Sequence, residues 1–472
     1  MPEANTNISA ALKTDCEPEG HNSRASLLMR FTGLVNHRSV LTWTTKGGMA
    51  IVDQGLITGS NFLLSILLAR WLSREEYGAF ALGFAIFLLV ATLYQALLLE
   101  PMSVFGGAVY RPRLGAYVRA LLGIHLFATM AILVALGFSA QAVRVTGHSD
   151  GLPGALAGAA VAAPCILLLW MARRAFYLQL SSAFAVAGAT VYCILVIGGL
   201  FLAHHRRSLS SFSAFVLMGV GGLLSGAVLL LFLFRQFRES GIALPLREVW
   251  SRHWKYGRWA LLAAAAMWVP ANMFYPLVSS FSGVASTAGL KALLNFFNPI
   301  FQMYAALSLL LLPYASRQRS EGVDLGRLTR RITLLCASGT VAYWLIAVGF
   351  ARPAFRLLYS GRYMEVSYLM PVVALGSIFE NAFFGPAIVL RAMESPKSVF
   401  AALFAAAGVS LVVGIPATWA FGVAGAVWAQ SLSSVVSFIV AVFLLRRKLD
   451  YRRTDTLGEA SPFTTTPIEG EI

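Results

Sequence analysis

The chain has 472 residues, 58% of them hydrophobic and 12% charged, with a mean hydropathy of +0.71. Soluble globular domains run at roughly 45–50% apolar and 25% charged, so this composition excludes them and implies a polytopic membrane protein. A net charge of +16 would suggest nucleic acid in a soluble protein, but here the basic residues stand in short loops between apolar runs. That is the pattern of membrane orientation, and no nucleic-acid partner is expected.

Residues 1–46 are polar, hold no short apolar core followed by a small-residue cleavage site, and read as an N-terminal tail with no removable signal. Apolar runs of membrane-crossing length follow at 47–72, 77–99, 116–138, 152–172, 181–203 and 211–235. After a long connection at 236–257, a second set falls at 258–280, 286–313, 331–351, 366–390, 398–420 and 422–445. The expected organisation is therefore a six-helix lobe over 47–235, a linker over 236–257, a second lobe over 258–448, and a disordered tail over 449–472. Of the 37 Lys and Arg, 28 fall on the side of the termini and eight opposite, leaving Lys291 within a span. This asymmetry predicts cytoplasmic termini, and in a bacterial cell an inner-membrane protein. Cys16, Cys165, Cys193 and Cys336 are scattered, with no CxxC, and read as unpaired.

The halves resemble each other. Asn61 is followed by Gly78 and by ALLLEP ending at Pro101; Asn272 is followed at the same interval by Gly289 and, one residue later, by SLLLLP ending at Pro313. Phe184 and Gly188 recur as Phe404 and Gly408. Because six helices return the chain to its starting side, both copies enter the membrane alike, giving two parallel repeats.

Polar residues inside the spans are the candidates for function. Lys291, Asn295, Asn298 and Gln302 are spaced i, i+4, i+7 and i+11, within an arc of about 60° on one helix. A lysine deep in a span costs about 2.5–3.5 kcal/mol, so it usually faces water or a partner; snorkelling to the interface is the alternative. Gln54, Thr58, Asn61 and Ser65 share the spacing, as do Trp268, Asn272, Tyr275 and Ser279. These sets read either as walls of a wet cavity or as hydrogen-bonding glue between helices. Asp53 and Glu380 are candidates to carry a coupling proton or sodium ion, or else to sit in fixed salt bridges or at the headgroup level. Pro270 and Pro299 each remove a backbone hydrogen bond and are candidate hinges. No DxD, Gly-rich nucleotide loop or paired intramembrane His/Asp set supports a membrane-embedded transferase, and neither a catalytic residue, a metal site nor a cofactor is expected.

The stretch SNFLLSILLARWLSREEYGAFALGFAIFLLV, residues 60–90, resembles the first helix pair of bacterial polysaccharide biosynthesis flippases, and NPIFQMYAALSLLLLPYASRQRS, residues 298–320, is also similar to them. These belong to the multidrug/oligosaccharidyl-lipid/polysaccharide (MOP) exporter superfamily, which includes O-antigen flippases and MATE drug exporters. The resemblance implies an all-α, MATE-like, V-shaped pair of six-helix bundles. It also implies alternating access that moves undecaprenyl-diphosphate-linked oligosaccharide for exopolysaccharide, capsule or lipopolysaccharide assembly. Partners so implied are membrane lipids, the lipid-linked oligosaccharide, a polysaccharide polymerase and glycosyltransferases. A MATE-type exporter of drugs or organic cations keeps the fold and changes the cargo.

Overall fold

Apolar runs in lipid must satisfy every backbone group internally, and helices do so. The computed structural model describes residues 37–146, 151–179, 181–236 and 243–459, and within them the regular structure is helical. Two units divide at Gly48: residues 37–48 are the described part of the first, and the second runs from Met49 onward.

The first half comprises α1 (His37–Trp71), α2 (Arg74–Tyr94), a π-turn at Gln95–Leu99, α3 (Glu100–Gly107), α4 (Leu114–Val145), α5 (Leu152–Leu178), α6 (Ser182–His205) and α7 (Ser211–Gln236). The second comprises α8 (Leu246–Asn272), α9 (Phe274–Ser282), α10 (Val284–Leu294), α11 (Asn298–Ser320), α12 (Leu325–Gly349), α13 (Ala351–Tyr359), α14 (Met370–Ala382), α15 (Phe384–Ala392), α16 (Pro396–Val412) and α17 (Gly414–Glu459). Among the described residues nine helices are long and apolar enough to cross a membrane, and the bent pair Ala260–Asn272 with Phe274–Ser282 meets the same test when its two pieces are joined. The other two expected runs are built from shorter pieces. The run at 286–313 falls on α10 and α11, separated by a turn, and the run at 398–420 falls on α16 and the start of α17. Gly422, at φ 56°, breaks α17 between the last two runs; only glycine takes that conformation readily.

Two boundaries differ from the sequence reading. α8 begins at Leu246, inside the stretch read as a linker, and α17 continues to Glu459, into the stretch read as a disordered tail; residues 460–472 lie outside the described residues.

Small residues set the closest helix contacts, as lipid-embedded packing requires. A Cβ on Gly222 would come within 2.9 Å of the Cys165 carbonyl oxygen, and one on Gly219 within 3.0 Å of Ala162 Cα, so α7 lies directly on α5. Between the halves, α2 crosses α10 at Gly78, where a Cβ would stand 1.9 Å from the Val284 carbonyl oxygen.

Candidate functional site

Between the two halves lies a cavity of about 1160 Å³. From the first half, α1 lines it with Gln54, Thr58 and Asn61, and α2 and α5 add Phe84 and Trp170. From the second come Asn272 and Tyr275, then Lys291, Asn298 and Gln302, then Glu380 and Ser434. Asn295, Pro270 and Pro299 also border it. Of the sixteen residues singled out from the sequence, thirteen therefore meet at this cavity; Asp53, Trp268 and Ser279 do not line it.

Lys291 is 9% exposed, and its ammonium lies 5.2 Å from the Phe84 ring centre and 5.7 Å from that of Tyr275. Aromatic faces attract a cation without neutralising it. Among the described residues no carboxylate pairs with Lys291. Lys291 thus stands on the cavity wall beside aromatic rings without a paired carboxylate. Asn61 Oδ1 is buried on the same cavity and has no hydrogen-bond partner.

The stripe is not one continuous helix. α10 ends at Leu294 and α11 starts at Asn298, with Pro299 in its first turn, where a missing N–H costs nothing. Asn295 falls in the intervening turn and its amide is already engaged: Nδ2 donates to the hydroxyls of Tyr77 (3.1 Å) and Tyr359 (3.3 Å), and Oδ1 accepts from Ser65 (3.1 Å). Tyr77 and Ser65 are 2.9 Å apart, and Tyr359 donates to the Ala292 carbonyl at 2.9 Å. With Tyr77 donating to Ser65, the ring Asn295, Tyr77, Ser65 closes on itself with each donor used. Asn295 therefore belongs to a seam joining the halves.

The seam continues outward along the turn after α1. Arg74 makes a two-pronged ion pair with Glu365 (2.6 and 3.2 Å), and its guanidinium lies over the Tyr363 ring at 5.4 Å. Arg362 donates to the Leu72 carbonyl, and Tyr363 to that of Ala69 at 3.4 Å. At this end, the Leu72 end, the halves are closed upon each other.

Asp53 is 1% exposed and bound to Arg173 through two guanidinium nitrogens, with the Tyr177 hydroxyl donating to the same carboxylate. Of the readings open from the sequence, the structure shows the salt bridge, inside the first half. Glu380 instead borders the cavity and accepts from Ser434 at 2.7 Å. Beside it Asn381, fully buried, has Nδ2 on Ser377 at 3.3 Å while its Oδ1 has no partner. Neither Asn381 nor the serines were singled out from the sequence, because serine and asparagine are frequent in membrane helices and only the fold places Ser434 on the Glu380 carboxylate. Pro270 lies near the end of α8, just before the break at which α8 and α9 bend by 45°.

The charges in this site are unevenly divided. Lys291 and Glu380 both come from the second half, whereas the cavity residues of the first half are uncharged.

No family model matches the sequence, and no curated protein is similar enough to align with it. Solved structures do align over most of its length. The fold is MATE-like. A multidrug-resistance MATE transporter of the MOP superfamily, in an inward-facing conformation, superposes with a TM-score of 0.71 at 13% identity, covering 87% of this chain and 96% of its own. The lipid II flippase MurJ, in an inward closed conformation, superposes with a TM-score of 0.68 at 13% identity, covering 85% of this chain and 87% of its own. A MOP transporter from Pyrococcus furiosus, described as having a binding pocket of reversed polarity, superposes at 0.60 with 13% identity, covering 87% of this chain and 95% of its own.

Proposed function

We propose that the chain is a transporter of the flippase type, moving an undecaprenyl-diphosphate-linked oligosaccharide across the inner membrane for exopolysaccharide, capsule or lipopolysaccharide assembly. The observation that carries this reading is Lys291: a buried ammonium on the cavity wall with aromatic neighbours and no carboxylate partner. A diphosphate would supply the missing anion, while the amides of Gln54, Asn61, Asn272, Asn298 and Gln302 match sugar hydroxyls in donor and acceptor capacity. The polyprenyl tail would stay in lipid, with an apolar surface beside the cavity for it to run along. An apolar groove of about 310 Å³, lined by Phe296, Tyr343, Phe350 and Leu358, shares Phe62 and Asn295 with the cavity.

The mechanism needs no covalent step. With both termini cytoplasmic, the Leu72 end is external, and the seam there closes the cavity from outside. Release requires that seam to part while the opposite ends of the halves come together. Glu380, which borders the cavity and accepts from Ser434, is the site where a proton or sodium ion would couple; Asp53 is held by Arg173 and serves the first half as structure. Glycosyltransferases supply the cargo and a polymerase consumes it.

The test is a vesicle assay with a polyprenyl-diphosphate-linked sugar bearing a fluorophore, read by the fraction protected from a membrane-impermeant quencher. The native chain should move the label and Lys291→Ala should not, with equal protein incorporated. Equal rates in the two would sink the reading. A second reading, a MATE-type exporter of drugs or organic cations, is favoured by Glu380 and the aromatic walls. It predicts that Lys291→Ala improves efflux of a cationic dye.

A further inference from the structure

The N-terminal part of α8 lies inside the stretch that separates the two halves in sequence, yet its contacts are with the first half. His253 is fully buried: its Nδ1 donates to the carbonyl of Leu97 at 3.0 Å, in the π-turn after α2, so its Nε2 is the acceptor for the Tyr117 hydroxyl at 2.7 Å. π-turns are uncommon and widen the helix locally; here the widened turn presents a carbonyl to a side chain from 156 residues away. One turn later a Cβ on Gly257 would come within 3.0 Å of the Ala96 carbonyl oxygen and 3.1 Å of Leu97 Cα, so only glycine lets the two backbones meet.

The contacts extend to either side. Tyr256 donates to Glu100 at 3.3 Å, Phe105 lies edge-on to Tyr256 and near His253, and Arg252 stands over the ring of Tyr110, itself stacked on Tyr117 at 4.3 Å. Val249 is fully buried. Further along, Trp268 donates to the Ala85 carbonyl at 3.3 Å. α8 also packs on α16 of the second half, but helix-on-helix packing allows small sliding in a way that directional bonds through a buried imidazole do not.

We propose that His253 and the Leu97 π-turn form a permanent latch, making residues 246–257 a working part of the first half, which stays with it when the halves move apart. Residues 246–257, which the sequence assigns to the linker, are thereby a rigid arm. His253 is a positioning residue: it acts through Leu97 and Tyr117 and touches no cargo.

The test needs no substrate, so its outcome is independent of the transport reading. In a background with Cys16, Cys165, Cys193 and Cys336 replaced by serine, spin labels are placed at Val104 and Lys255 across the latch. In a second protein they are placed at Glu75 and Tyr368 across the seam. Distances are measured by double electron–electron resonance in lipid nanodiscs, with and without Gly78→Ala to loosen the seam. The expected result is that the Val104 to Lys255 distance stays single while the Glu75 to Tyr368 distance lengthens by several ångströms. His253→Ala should split the first distribution, and Tyr117→Phe, which removes one bond and keeps the ring, should broaden it less. A Val104 to Lys255 distance that lengthens together with the seam in the presence of His253 overturns the proposal. So does one that stays single in His253→Ala.

Discussion

Replacing Gly78 by alanine is the smallest change that should alter how the two halves close. The added carbon would stand 1.9 Å from the Val284 carbonyl oxygen, 2.8 Å from its carbonyl carbon and 3.3 Å from its Cγ1. An ordinary contact of that kind needs more than an ångström of extra separation, and backbone cannot rotate away as a side chain can. The strain falls where α2 meets α10, next to the ring formed by Ser65, Tyr77 and Asn295, whose bonds of 2.9 to 3.1 Å would lengthen with it. Overpacking of this order costs about 1–3 kcal/mol, and since it applies only while the halves are sealed, the population parted at the Leu72 end should rise by roughly 5- to 150-fold. The assay uses a single cysteine at Asn61, in a chain otherwise free of cysteine, and a membrane-impermeant maleimide added outside intact cells. Its labelling rate should rise by that factor in Gly78→Ala. Gly107→Ala, whose added carbon meets nothing within 4 Å, is the comparison and should leave the rate alone. Unchanged labelling in Gly78→Ala, with protein as abundant as the parent, would refute the idea that this crossing seals the cavity.

Removing one member of the Asp53–Arg173 pair strands a charge in the first half, so Arg173→Ala should cost about 3–5 kcal/mol and sharply lower the yield of monodisperse protein in detergent. Asp53→Leu combined with Arg173→Met should recover most of it. Glu380→Gln should abolish gradient-driven accumulation of cargo while leaving equilibrium exchange across vesicles intact, a split that a merely structural glutamate would not produce. For the latch, burial holds the His253 imidazole below the ordinary histidine value despite the favourable bond to Leu97. The neutral ring is the form that accepts from Tyr117, so its contribution is full above about pH 6.5 and fades as pH falls through the depressed folded value. Groups facing it are Tyr117, Tyr110, Tyr256, Glu100, Arg252 and Glu248. The thermal midpoint should accordingly drop on acidification in the parent and much less in His253→Gln.

The twelve runs were legible because lipid imposes one requirement on every crossing, and hydropathy reports it directly. The breaks within them were less so. A stripe drawn from Lys291 to Gln302 assumes unbroken helix, yet proline disfavours helical backbone at the residue before it, and the Asn298–Pro299 pair was the available sign that a new helix starts there. That restart leaves Asn295 bordering the cavity with its amide spent on the seam. Asp53 was read with its alternatives open, since its partner Arg173 lies 120 residues away, in a basic pair that loop counting assigns to the headgroup layer. The latch left no trace in composition: a histidine, a tyrosine and a carbonyl carry no periodicity, and only the π-turn brings them together. The cavity itself was foreseen through Lys291, because a cation in a span is expensive enough to demand an explanation.

Because the ammonium and the carboxylate that border the cavity both belong to one repeat, the duplicated copies have parted in their electrical duties. An anion bound at Lys291 would travel with the later copy, whereas the earlier one offers the cavity only uncharged groups. Among the cavity charges, the transmembrane voltage would then work on displacement of the later copy and its passenger, at about 2.3 kcal/mol per elementary charge per 100 mV. Moving either ionic residue onto the earlier repeat would therefore rewire the voltage dependence of the cycle without changing the total charge of the chain.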